Sequence, residues 1–407
     1  MPIHPEKPAA ESILALADRC VKCGLCQPQC PTYRVARDEA ESPRGRIALA
    51  RGLAAGDFDD VGRASAERHL DQCLACMSCE RVCPSEVRYS ELLVATRALL
   101  RRRRGEPLRE RLLRSLAGHP RFLGVLLRVA NLHGVGAFVR SRIVRSVLRP
   151  IGLGRLAAEL PRLPKKVASM PSGDGERGRI GIFTGCVAAS VDRDVHVGAA
   201  RLLGALGYAS VLAPPRCCGA LALHSGDVAA AHTLGTAVQA FFTEQGVRTV
   251  LATASGCFGS LRAAFGGSGI DVRDAHDFLL ADERFARLRF RPLAARVAVH
   301  TPCTQANVVR SPGGVAATLR RIPQVEIVTL PDEPRCCGAG GDYFLRHAGI
   351  TDALRTEKID QALAVAPDFV ATSNVGCRVF LENGLARRDA RVRIVHPVAL
   401  LAAQLEN

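Results

Sequence analysis

Residues 20–31 read Cys-Val-Lys-Cys-Gly-Leu-Cys-Gln-Pro-Gln-Cys-Pro, and residues 73–84 return the same frame as Cys-Leu-Ala-Cys-Met-Ser-Cys-Glu-Arg-Val-Cys-Pro. Each copy is C-x2-C-x2-C-x3-C-P, a spacing that suits [4Fe-4S] clusters. Three thiols two residues apart can wrap three corners of a cube from one tight turn, while the fourth points away towards the other copy. Pro31 and Pro84 donate no N–H and hold φ, so each run leaves in one direction. Zinc prefers four thiolates as two pairs, which leaves the third Cys of each run and the trailing Cys-Pro unexplained. Disulfides require an oxidising compartment, and the opening Met-Pro-Ile-His-Pro-Glu-Lys has neither the basic start nor the apolar stretch of a secretory signal. Clusters that only brace the fold remain an open reading, although two adjacent clusters make better sense as a wire.

The same run is the bacterial ferredoxin signature, in which the fourth Cys of each copy serves the other cluster. The signature implies crossed ligand sets: Cys20, Cys23 and Cys26 with Cys83, and Cys73, Cys76 and Cys79 with Cys30.

A chain of 407 residues has room for two or three domains. Sixteen cysteines without a secretory signal point to a reducing cytoplasm and to metal. The longest uncharged run, residues 228–243, is shorter than the roughly 18 apolar residues of a membrane span, so no transmembrane helix is expected. The net charge of +16 is concentrated: residues 97–150 hold fourteen Arg against Glu106 and Glu110, which is twelve of the sixteen net charges. There Arg alternates with apolar residues at helical spacing, which suits helices lying on an anionic membrane face or an acidic partner. Ordinary amphipathic helices packed on a neighbouring domain are the competing reading. The segment lacks interleaved aromatics or a nucleic-acid-binding motif, so no nucleic acid is expected.

In order, residues 11–19 read as a short helix delivering Cys20. Ser42-Pro43 reads as the N-cap and first position of a helix to about residue 53, followed by a helix over about 61–70 and another over 91–104. Arg44 and Arg46 start the second of these helices, either near a cluster or on a solvated first turn. Residues 160–178 read as a linker. Its Gly173-Asp-Gly175-Glu-Arg-Gly178 is a formal GxGxxG, but it precedes a strand instead of following one, so no nicotinamide or flavin site is expected on this chain.

From residue 179 the chain is duplicated. Cys186, Cys217-Cys218-Gly219 and Cys257 match Cys303, Cys336-Cys337-Gly338 and Cys377 at near-constant offsets. Short β-branched runs (180–184, 208–213, 250–254, then 297–301, 325–330, 369–372) precede the cysteine groups, with helical stretches at 194–206, 228–245 and 314–321 between them. This is a βαβ pattern with a parallel sheet, and it puts all eight cysteines at carboxyl ends of strands, where open α/β sheets bind ligands. Four thiols per repeat suffice for a cubane, the Gly after each pair admits positive φ or close backbone approach, and one or two further [4Fe-4S] clusters are expected here. His224, His300 and His347 lie near the cysteine groups as candidates for binding an acceptor or moving protons. The expected organisation is multidomain α+β: a mostly helical two-cluster domain (1–98), an Arg-rich helical connector and linker (99–178), and cysteine-rich α/β repeats at 179–294 and 295–407.

With twin cysteine runs, Pro43-Arg-Gly-Arg46, His69-Leu-Asp-Gln-Cys73, Thr253-Ala-Ser-Gly-Cys257 and His300-Thr-Pro-Cys303, the chain resembles the iron-sulfur subunit of glycolate oxidase (glycolate dehydrogenase) over essentially its whole length. The resemblance implies an electron-transfer subunit beside FAD-binding subunits that oxidise glycolate to glyoxylate, passing electrons to a quinone or other acceptor, cytoplasmic or peripheral on the inner membrane. The 2-hydroxy acid site is then on the flavoprotein, and no catalytic residue is expected here. The alternatives are an iron-sulfur subunit of lactate or glycerol-3-phosphate dehydrogenase, or a heterodisulfide-reductase-like thiol-disulfide reductase. Heterodisulfide reductase repeats end in C-x-x-C, whereas these end in Cys257-Phe-Gly-Ser260 and Cys377-Arg-Val-Phe380, so a five-thiolate cluster does not transfer intact.

Overall fold

The Ser42 hydroxyl accepts the Gly45 N–H at 3.0 Å, Pro43 takes the first helical position, and the helix that follows runs Pro43–Ala55. The computed structural model describes residues 9–105, 108–132, 135–139, 141–148, 154–164, 175–388 and 391–406. They form two units, one of residues 1–114, 219–233 and 338–354, the other of the remainder.

In the first unit the helices Ala9–Ala17, Pro43–Ala55, Asp60–Asp71 and Tyr89–Arg104 enclose a core of Ile13, Ile47, Leu53, Leu70, Leu92 and Leu100, with Cys73 and Cys79 on its edge. Asp59 caps the third helix by accepting the Gly62 N–H at 2.7 Å. The segments 219–233 and 338–354 add the short helices Ala220–His224 and Tyr343–Arg346. They are tied in through Arg97, which donates to the His224 carbonyl at 2.8 Å, and through the Tyr343 hydroxyl, which donates to the Gln72 carbonyl at 3.0 Å.

The second unit carries eight strands among its described residues. β1 (Arg179–Phe183), β2 (Ala209–Leu212), β3 (Thr249–Ala252) and β4 (Asp271–Asp274) form one parallel sheet in the order β2-β1-β3-β4. β5 (Ala295–Val299), β6 (Val325–Thr329), β7 (Phe369–Ala371) and β8 (Arg393–Val395) repeat it as β6-β5-β7-β8. Ile182, Leu202, Leu251, Val297, Leu319 and Leu401 belong to one core shared by both sheets. The fold is thus the multidomain α+β arrangement expected, with the duplication visible in the strand order itself. β4 and β8 are additional to the strands read from the sequence: both are short and carry charged residues, so their apolar signal is weak.

The Arg-rich segment folds as the helices Leu108–Gly118, Pro120–Val129, Val135–Val139 and Arg142–Leu148. Arg140 and Arg149 lie outside the described residues, as does most of the linker. Its glycine-rich end runs directly into β1, an order opposite to that of a dinucleotide-binding turn. Among the described residues no helix is long and apolar enough to cross a membrane.

Candidate metal centres

The two cysteine runs line two cavities of the first unit. Cys20, Cys23, Cys26, Cys79 and Cys83 border one, and Cys30, Cys73, Cys76 and Cys79 border the other, with Pro43, Cys79 and Tyr89 common to both walls. The fourth cysteine of each run therefore faces the three leading cysteines of the other. Both loops bend alike: Lys22 (φ 56°) and Gly24 (φ 85°) in the first correspond to Ala75 (φ 52°) and Met77 (φ 59°) in the second. Left-handed backbone at three non-glycine residues is strained, and strain repeated at matching positions marks a loop shaped around something.

Donors already point at the sulfurs. The Ala75 N–H approaches Cys73 Sγ and the Val87 N–H approaches Cys83 Sγ, both at 3.5 Å, and the Tyr89 hydroxyl donates to Cys73 Sγ at 3.6 Å. Burial pushes the Cys26 thiol up to about 11 and Cys79 well above the ordinary range. A thiolate is unfavourable in these cavities unless a metal compensates its charge. Eight thiols, strained loops and sulfur-directed N–H groups fit paired [4Fe-4S] clusters.

Arg46, read from the sequence as near a cluster or solvated, is buried. It pairs with the buried Glu41 and donates to the Glu41 carbonyl at 2.6 Å, to Thr32 Oγ1 at 2.8 Å, to the His69 carbonyl at 2.7 Å and to Cys30 Sγ at 3.9 Å. Arg44 is more exposed; it donates to Glu39 at 2.7 Å and to the Lys22 carbonyl at 3.1 Å, bracing the first loop. Tyr89 and Arg97 also touch Cys73, and sequence reasoning missed both. The Arg97 guanidinium donates to the Cys73 carbonyl at 2.8 Å and to the Leu70 and Asp71 carbonyls beside it. No spacing rule signals such a contact, because it joins a helix to a loop 24 residues away.

In the second unit every repeat cysteine follows a strand or opens the next helix. Thiol hydrogen bonds join Cys186 to Cys217, and Cys218 to both Cys217 and Cys257; with burial, they raise Cys186 and Cys218 well above the ordinary thiol range. In the second repeat Cys337 donates to Cys377 Sγ at 3.0 Å, and the Asn374 amide donates to Cys377 Sγ at 3.5 Å. Cys336 is buried beside Cys337, and Cys303 follows β5. The three histidines separate. His300 is fully buried beside Cys337 and Cys377. His224 lines a polar cleft of the first unit with Arg97, Tyr343 and Arg346, and burial lowers it to about 4. His347 packs against the Tyr343 ring at a tilt of 31° and faces Asp71 at 3.5 Å.

Adjoining thiol-lined cavities in a helical domain, followed by paired parallel sheets with thiols at their strand ends, define an iron-sulfur electron carrier. The sequence matches the 4Fe-4S dicluster domain family over residues 16–87 and the cysteine-rich domain family over residues 180–262 and 297–382. It is 30% identical to the glycolate oxidase iron-sulfur subunit of Escherichia coli, covering 98% of this chain and 96% of that one. The probable glycolate oxidase iron-sulfur subunit of Bacillus subtilis is 28% identical over 94% of this chain and 92% of its own length. One polypeptide of the dihydromethanophenazine:CoB-CoM heterodisulfide reductase of Methanosarcina barkeri is 23% identical over 92% of this chain and 89% of its own. The chain belongs to the family of glycolate oxidase iron-sulfur subunits, and so is an electron-transfer subunit of an oxidoreductase complex that carries [4Fe-4S] clusters and works beside flavoprotein subunits.

Proposed function

We propose that this chain relays electrons from a flavoprotein that oxidises glycolate to glyoxylate towards a quinone-type acceptor. The observation that carries the relay is the crossed lining of the two cavities, which places Cys83 with Cys20, Cys23 and Cys26 in one and Cys30 with Cys73, Cys76 and Cys79 in the other, Cys79 bordering both. When bound, the clusters supply one-electron transfer between flavin and acceptor. The chain's own residues hold the sulfurs and set their surroundings: Arg46 places a buried positive charge beside Cys30, Tyr89 donates to Cys73, and the Ala75 and Val87 N–H groups cap Cys73 and Cys83. The cysteines of the repeats, Cys186, Cys217, Cys218, Cys257, Cys303, Cys336, Cys337 and Cys377, are metal ligands in this reading. The modules are residues 1–98, 99–178, 179–294 and 295–407.

The test is anaerobic reconstitution with the flavoprotein subunits. Glycolate is expected to bleach the iron-sulfur absorbance, and clusters reducible only by dithionite would make the protein a scaffold. Cys83→Ser is expected to impair the cluster of Cys20, Cys23 and Cys26 and leave the other's EPR signal in place; loss of the other signal alone would reverse the assignment.

The same reading docks the chain peripherally on the cytoplasmic face of an anionic membrane. In the helix Pro120–Val129 one stripe, Pro120, Gly124 and Leu127, is buried, while Phe122, Val125, Leu126 and Val129 form a second apolar stripe at i, i+3, i+4 and i+7 that is 41–56% exposed. Phe138, Ile143 and Val147 on the two helices that follow are exposed as well, and Arg121 and Arg128 are exposed on the same helix as the stripe. An apolar face with flanking Arg matches anionic lipid. Co-sedimentation with phosphatidylglycerol vesicles, weaker with phosphatidylcholine alone and lost in Phe122→Ser/Val125→Ser/Val129→Ser, is the expected result. Equal pelleting of that variant would assign the face to a protein partner.

A further inference from the structure

The duplication contains its own control. Aligned on Cys186 and Cys303, the position three residues before the cysteine is Phe183 in the first repeat and His300 in the second. Aligned on Cys257 and Cys377, Ala252 corresponds to Thr372, and Ala254 to Asn374. Phe183 and Ala252 are register partners across β1 and β3. The equivalent pair, one step beyond Val299 and Ala371 of β5 and β7, is His300 and Thr372. Three apolar positions of the first repeat have therefore become polar at the same place in the second.

Their contacts are directed. His300 is 0% exposed; its Nδ1 is 2.9 Å from Thr372 Oγ1, and its Nε2 is buried with no hydrogen-bond partner. Two thiols stand beside this ring: one ligand atom each from His300, Cys337 and Cys377 lies within 4.8 Å of the other two. Among the described residues this is the one such group of three metal-ligating side chains. A ring held at Nδ1 by a hydroxyl, with Nε2 left unpaired and two thiols close by, is the arrangement by which proteins orient a ligating imidazole. The donors of one tetrahedral ion bound at zinc-like lengths stand roughly 3.3–3.8 Å apart, so this cluster needs only small adjustments to close on an ion. Thiolates on separate corners of a cube stand farther apart.

We propose that the second repeat is a mixed imidazole-thiolate metal site, with His300 Nε2, Cys337 Sγ and Cys377 Sγ as ligands of one first-row ion of the zinc type, whereas the first repeat is all-thiolate. Loading transfers the two thiol protons to solvent and uses the imidazole lone pair, with no change of oxidation state. Cys303 or Cys336, or solvent, supplies the fourth position that such an ion requires. The two repeats thus share a fold and a cysteine pattern but take different centres, and the second is not an equivalent step in the electron path. This holds whichever acid the complex oxidises.

The test is metal analysis and X-ray absorption of the full-length protein, with no turnover required. One zinc per chain, with one nitrogen in its sulfur-rich shell, is the expected result. His300→Phe, which copies the first repeat, is expected to lose that ion and keep the iron of the ferredoxin-type clusters, and His300→Cys to retain it with an all-sulfur shell. Retained ferredoxin-type EPR signals in His300→Phe separate loss of the site from failure to fold. If the site holds iron in a cluster, nitrogen hyperfine coupling that disappears in His300→Phe would keep the imidazole ligand and overturn the single ion. A wild-type protein with no nitrogen on any metal, and with metal content unchanged in His300→Phe, would overturn the proposal entirely.

Discussion

Arg46 is 1% exposed and faces Glu41, which is 2% exposed, so removing either leaves a buried charge without its partner. Arg46→Ala is expected to destabilise the first unit by about 3–5 kcal/mol, read as a lower denaturation midpoint, and adding Glu41→Gln to restore part of the loss. Arg46→Lys is expected to rescue poorly, because an ammonium cannot reach Glu41, Thr32 and the His69 carbonyl together. Tyr89 makes a subtler contribution. Burial, with Cys73 next in effect, holds its hydroxyl well above the ordinary tyrosine range, so it stays a neutral donor to Cys73 Sγ. Tyr89→Phe is expected to leave the iron content unchanged and move one cluster to a more negative potential in a redox titration, since a hydrogen bond to sulfur favours the reduced, more negative state. An unchanged potential would mean that the hydroxyl only fills space. Neither role is legible in the sequence. Arg46 stands in a visible helix start, but its burial depends on Glu41 and His69, and the distance of Tyr89 from Cys73 is a fact of packing.

The elements around the sites are held by requirements that the sequence does show. Ser42→Ala removes an N-cap and is expected to cost about 1 kcal/mol in thermal or chemical denaturation. Three residues on, Gly45 leaves no room: a Cβ there would sit 2.0 Å from the Glu39 carbonyl oxygen, so Gly45→Ala is expected to destabilise more than the cap mutant does. The glycines of the two Cys-Cys-Gly motifs combine positive φ with close approach. Gly219 has φ +82° with a built Cβ 2.6 Å from the Ala231 carbonyl oxygen, and Gly338 has φ +91° with one 3.0 Å from that of Thr351. The strands before the cysteines were legible because they are mostly apolar, β-branched runs, whether central or, like β2 and β6, at a sheet edge. β4 and β8 were not, Asp271–Asp274 having three charged residues and Arg393–Val395 only two apolar ones.

Over the whole molecule, buried histidines give stability a pH dependence of definite sign. Burial lowers His196 and His276 to about 4; His276 is shielded from water, its Nδ1 lying 2.9 Å from Thr318 Oγ1. Such a group is protonated in the unfolded chain below about pH 6.5 but neutral in the folded one, so its contribution is present at neutral pH and lost as pH falls from about 6.5 to about 4. His276→Gln is expected to flatten the pH dependence of unfolding by up to about 1.4 kcal/mol per pH unit in that window, and an identical slope would show that the histidine does not titrate with folding. The cysteine arithmetic, the duplication, the Arg-rich segment and the helix starts were all readable along the chain, because ligand spacing, repeat period, charge and capping are local properties. Which cysteine faces which cavity, that Arg46 is buried and Phe122 exposed, and that His300 rather than His224 or His347 meets two thiols were decided only by tertiary structure. Those facts depend on which distant segments pack together, and two repeats with the same cysteine pattern differ in the side chain that packing brings to the sulfurs.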